Sequence, residues 1–87
     1  MIIKVLGLQH SEKCSKLMEI VKQVVAETKI TAEIFNVYDE PEYMKYGVFR
    51  TPALVVNEKV KFIGRVPGYN EVMRVILLAN DNTLISP

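Results

Sequence analysis

The opening residues 1–7, MIIKVLG, limit the fold more than any other stretch. They are β-branched and almost continuously apolar, the pattern of a central strand buried on both faces. Such a strand needs neighbours within a sheet and a covering layer on each side. In a chain of 87 residues there is room for little else. A domain this small buries only about 60% of the surface its unfolded chain exposes, so every other element must serve those layers.

The rest of the chain supplies them. Residues 11–29, SEKCSKLMEIVKQVVAETK, take up helical spacing, with Cys14, Leu17, Val21, Val24 and Val25 on one stripe and Met18 beside it. Ser11 reads as the N-cap, with Glu12 in the first turn complementing the helix dipole. Residues 31–37, TAEIFNV, read as a second strand, and the Pro41-containing stretch up to Gly47 as a short helix. TPALVVN and KVKFIG are strands joined by a tight hairpin at Asn57-Glu58. GYNEVMRVILLAN returns to helical spacing, with Val72, Val75, Ile76 and Ala79 on one side. The order is β-α-β-α-β-β-α. It implies a parallel pair, then an antiparallel hairpin, in a four-stranded mixed α/β sheet with helices on both faces. Residues 1–79 form the domain and 80–87 a C-terminal tail without a clear element of its own.

Composition narrows the function. Eleven Lys and Arg stand against ten Asp and Glu, which speaks against a nucleic-acid footprint. Glu12 and Lys16, and Glu19 and Lys22, are spaced for ion pairs along a solvated helix face. No apolar run approaches the roughly 18 residues of a membrane span. The start lacks the pattern of an export signal, so the expected location is cytoplasmic. One cysteine excludes an intramolecular disulfide, and any thiol–disulfide chemistry must involve a partner. His10 and Cys14 offer only two donors for a metal, and no cofactor is expected.

The element order, with Cys14 at the first strand–helix junction and Thr51-Pro52 opening the third strand, resembles the thioredoxin fold. More narrowly it resembles the small thioredoxin-like proteins called redox-active disulfide proteins. The matching stretches are IKVLG at 3–7, CSKLMEIV at 14–21, MKYGVFRTPALVVNEKV at 44–60 and GRVP at 64–67. The resemblance implies a Cys-x-x-Cys site, a cis proline at Pro52, and an edge at Thr51-Pro52 to which an extended substrate segment adds as a strand. It implies protein thiols or disulfides as partners, with a thioredoxin-reductase-like protein or a small thiol as reductant.

The chain departs from that family where the chemistry should be. The site reads Ser11-Glu12-Lys13-Cys14, so Ser11 stands where the attacking cysteine is expected, after a turn about one residue longer than usual. Disulfide exchange begins with a thiolate, and a serine hydroxyl can neither ionise at neutral pH nor form a disulfide. The serine is either natural or a replacement of the kind used to disarm an attacking thiol. Two functions follow. One is a relative of thiol–disulfide oxidoreductases with an incomplete site, in which Ser11 and Cys14 mark the catalytic positions. The other is a redox-inactive module that binds a peptide or protein at the groove beside Thr51-Pro52. Arg50 reads as a surface arginine. Gly64, Gly68 and Glu71 form too loose an arrangement for a glutathione site.

Overall fold

The computed structural model of the chain describes residues 1–8 and 10–85, with side chains as far as residue 80. Strand β1 (Ile2–Leu6) leads into helix α1 (Glu12–Thr28) and strand β2 (Glu33–Val37). Helix α2 (Glu40–Met44), strands β3 (Ala53–Val56) and β4 (Lys59–Ile63) and helix α3 (Tyr69–Ile85) complete the order. The four strands lie as β2-β1-β3-β4. β1 pairs in parallel with β2 and antiparallel with β3, and β3 pairs antiparallel with β4. This is the mixed sheet expected from the sequence, with β1 central.

Alternation along β1 assigns its residues to two layers. Ile3 and Val5 face α1 and α3 and meet Leu17, Val21, Val24, Leu54, Val56, Val72 and Ile76 in the larger core. Leu6 belongs to the other face, where Tyr43, Val48, Ala53 and Val55 form a second cluster under α2. β3 is buried along its whole length, as a strand covered on both faces must be. In α2 and the turn after it, Tyr43 is buried and Tyr46 half-buried. Met44 is exposed, because a helix of five residues presents only about one turn to the sheet.

Local chemistry sets the turns. Asn57 and Glu58 both have positive φ (49° and 67°), as a two-residue hairpin of primed type requires. The Asn57 side-chain Oδ1 also accepts from the Ile2 N–H at 2.9 Å, and the Asn57 backbone N–H donates to Ile2 O at 2.8 Å. Lys4 projects from the α2 face of β1. It donates to the Tyr46 hydroxyl at 2.7 Å and to Glu58 at 3.1 Å, while that hydroxyl donates to Glu58 at 2.9 Å. Tyr46 and then Glu58 raise the Lys4 pKa, and Lys4 followed by Tyr46 lowers that of Glu58. The network joins the central strand, the end of α2 and the hairpin.

Two local expectations differ. The helix-surface pairs Glu12–Lys16 and Glu19–Lys22 do not close among the described ion pairs, which are Lys4–Glu58, Glu42–Lys45 and Arg65–Glu71. Exposed pairs gain little over separate hydration, so long side chains stay in water. Helix α3 runs to Ile85, past the stretch that its apolar spacing marks. Backbone hydrogen bonding continues without an apolar stripe to advertise it. Residues 86 and 87 of the C-terminal segment lie outside the described residues.

Leu17 is fully buried where α1 meets the sheet. Leu17→Ala is expected to lower unfolding stability by about 2–5 kcal/mol in urea titration. Lys22→Ala, on the exposed face of the same helix, should stay within about 0.5 kcal/mol. Similar losses for the two would contradict this placement of the core.

Candidate functional site

The site lies at the end of the sheet where β1 stops and α1, β3 and the β4–α3 connection begin. The strand stops at Gly7, whose N–H donates to Val37 O at 2.9 Å. The turn that follows is closed by the Ser11 N–H on Leu8 O at 3.4 Å, and His10 sits in it, exposed, with a φ of 66°. Ser11 then caps α1, its Oγ accepting from the Cys14 N–H at 3.4 Å. The capping expected from the sequence is present. Ser11 is half-exposed at the mouth of the site.

Cys14 is the third helical residue and only 4% exposed. Its burial has a specific cause. A Cβ built on Gly7 would stand far closer to Cys14 Sγ than van der Waals contact allows, and would lie 3.4 Å from Thr51 Cβ. The sulfur therefore packs directly over the Gly7 backbone. Glycine is needed there for room rather than for an unusual φ. Sequence reasoning placed Cys14 on the apolar stripe but missed Gly7 as its seat. The available signal was a glycine ending a strand seven residues before a cysteine on the apolar stripe of the next helix.

Thr51-Pro52 comes from the opposite side. The peptide bond between them is cis, as the resemblance implied. Pro52 is buried, and its carbonyl accepts from the Gly64 N–H at 2.8 Å. Thr51 is half-exposed, precedes the β3 ladder, and has no backbone hydrogen bond among the described residues. The structure thus brings Cys14, Gly7 and Thr51 together, with Ser11 and Pro52 flanking them. Leu8 and Phe49 are strongly exposed in the adjoining loops, Phe49 at 78%. Arg50 is exposed, as expected of a surface arginine. Its side chain lies across Gly64, where a Cβ would stand 3.2 Å from Arg50 Cβ.

The connection from β4 to α3 is shaped by one acid. Glu71 accepts from both Arg65 terminal nitrogens (3.1 and 2.9 Å) and from the Gly68 N–H at 2.8 Å. Arg65, and then the Gly68 N–H, pull the Glu71 pKa down from 4.5 to about 2. Its carboxylate is already engaged within the chain, which explains why Gly64, Gly68 and Glu71 do not make a free ligand site. Among the described residues, no cluster of three or more His, Cys, Asp or Glu is arranged to hold a metal. Nor is any described helix long and apolar enough to cross a membrane.

Comparison with known proteins agrees with this geometry. The family described as the thioredoxin domain matches residues 1–77. A thioredoxin of Methanocaldococcus jannaschii is 34% identical over 71 residues, which is 82% of this chain and 80% of the relative. The fold is shared with thioredoxin 1 of the thermophilic eubacterium Thermosipho africanus. That likeness has a TM-score of 0.59 at 19% identity, covering 92% of this chain and 99% of the other.

Gly7→Ala should lower stability by roughly 1–3 kcal/mol through overpacking against the sulfur. In the Cys14→Ala background the same change should be milder, as a double-mutant cycle in denaturant would read. An undiminished effect there would mean that the thiol is not what requires glycine. The Arg65–Glu71 pair predicts a pH dependence. Since folding depresses the Glu71 pKa, the pair's contribution is fully present above about 4.5 and is lost as pH falls toward about 2. Thermal melts of Glu71→Gln should lack that part of the acid destabilisation. A profile parallel to the parent chain's would contradict the assignment.

Proposed function

Because the chain belongs to the thioredoxin domain family, we propose that it docks thiol- or disulfide-bearing proteins without running a two-thiol cycle. An extended partner segment pairs with the Thr51 backbone beside Pro52, and Leu8 and Phe49 offer apolar contact around it. The observation that carries this reading is the state of the thiol site. The chain's one cysteine is buried over Gly7, and the half-exposed position that should attack holds a serine. A serine hydroxyl cannot open a disulfide, and the thiol of a residue only 4% exposed is poorly placed to do so instead.

The narrower likeness to redox-active disulfide proteins, carried by the stretch from Tyr46 to Asn57, supports the same ancestry of the docking edge. Within this reading Ser11 and Cys14 are the former catalytic positions, and Thr51 and Pro52 bind the partner. The setting is cytoplasmic. A reductase or small thiol would be needed only by a form carrying both thiols.

Insulin reduction in the presence of dithiothreitol tests the proposal. The chain as given should not accelerate it, and Cys14 should resist alkylation until the protein unfolds. Ser11→Cys should form a disulfide with Cys14 under mild oxidant and gain turnover. Acceleration by the unaltered chain, abolished by Cys14→Ala, would overturn the reading and make Cys14 a working single thiol.

A further inference from the structure

Beside the docking edge, α1 and the β4–α3 connection enclose an open groove of about 660 Å³. Lys13, Lys16, Glu19 and Ile20 form one wall, and Gly64 to Val66 the other. Ile20 and Val66 are half-buried against the main core, so the groove has an apolar floor. Lys13 and Lys16 are exposed, one helical turn apart, and no described ion pair takes up either of them. Arg65 stands opposite, held by Glu71 and stacked 4.9 Å from the centre of the Phe62 ring. Arg50, lying across Gly64, extends this line of cations to Thr51. Glu19 is the one carboxylate in the lining. With Arg65 neutralised by Glu71, the excess charge of this lining rests on Lys13 and Lys16 against Glu19, in a chain that is nearly neutral overall with eleven cationic and ten acidic residues. Asp39, Glu40 and Glu42 gather instead at the start of α2, on the opposite face of the sheet.

We infer that this groove receives an acidic, extended segment of the docked partner protein, its carboxylates meeting Lys13 and Lys16 and its aliphatic carbons resting on Ile20 and Val66. The inference rests on the docking reading above and names the partner's chemistry. Carboxylates at alternate positions of an extended chain are about 7 Å apart. Lysines at i and i+3 are offset by about 4.5 Å along the helix, and their flexible stems span the difference. The Arg65 fork is already filled by Glu71, so no guanidinium in the lining is free to grip a phosphate through two bonds. Ammonium groups above an apolar floor suit carboxylates carried on a hydrocarbon chain.

The test is fluorescence anisotropy with a short labelled peptide alternating Glu and Ala, together with amide chemical shifts. The acidic peptide should bind and its Lys–Ala counterpart should not. The Lys13→Glu/Lys16→Glu variant should weaken binding by about tenfold and flatten its salt dependence. Lys61→Glu, on the edge strand β4, should change affinity by less than about twofold. Circular dichroism confirms that each variant is folded. Equal weakening by Lys61→Glu, equal binding of the Lys–Ala peptide, or no binding at all would overturn the inference. Inorganic phosphate displacing the peptide at comparable concentration would make the groove a small-anion site instead. Self-association lost in the double variant would make the occupant a second copy. The two readings fail separately. Shifts at Thr51 and Ala53 without any at Ile20 and Val66 would leave the edge and overturn the groove. The reverse pattern would leave the groove and overturn the edge.

Discussion

The fold depends on a strand that must be dry on two sides. β1 has a neighbour at each edge and a layer over each face, and the other elements are placed by that demand. Hydrophobic burial has no direction of its own, but a pleated strand gives it two. Ile3 and Val5 recruit α1 and α3, whereas Leu6 recruits the cluster under α2. Lys4 shows how firmly the alternation is imposed. A charged residue stands in the middle of the central strand, and the fold accommodates it with a tyrosine hydroxyl and a carboxylate rather than shifting register.

The candidate site is a by-product of where that strand ends. A parallel β1–α1–β2 unit leaves the start of α1 at the end of β1, and β3 runs back beside it from the same end of the sheet. Helix start, cis peptide bond and connecting strap consequently converge without long loops. The chemistry of the edge then rests on very few atoms. The sulfur occupies the space that a glycine leaves, and the position facing water is a hydroxyl. Recognition and reactivity are thus separable here. On the docking reading proposed above, the Thr51 backbone remains open to a partner, although a serine holds the position of the attacking thiol.

Much of this was legible in the sequence because it rests on period and punctuation. The apolar run of β1, the α1 stripe through Cys14 and Leu17, and the Asn57-Glu58 hairpin are local patterns with one structural solution each. Thr51-Pro52 could be placed only through the family resemblance, because a Thr-Pro pair alone does not disclose its isomer. The seat of Cys14 on Gly7 and the Arg65–Glu71 clamp were not legible. Both depend on how separate segments approach one another, which no window of sequence contains. Exposed ion pairs on α1 were overread for the opposite reason. Their spacing is local, but closing them gains too little free energy to hold. The length of α3 was underread because its later backbone carries no apolar period.

The loop that presents the edge is secured at both ends. Tyr46 ties its start to the central strand and the hairpin, and the Gly64 N–H on the Pro52 carbonyl ties its finish to the strap. Between these anchors, Val48 alone turns into the core, while Phe49 and Arg50 face outward. Such a loop works as an interchangeable cassette. On the docking reading, its outward residues can be rewritten to suit another partner while the scaffold beneath keeps its hydrogen bonds, so selectivity can drift faster than the fold.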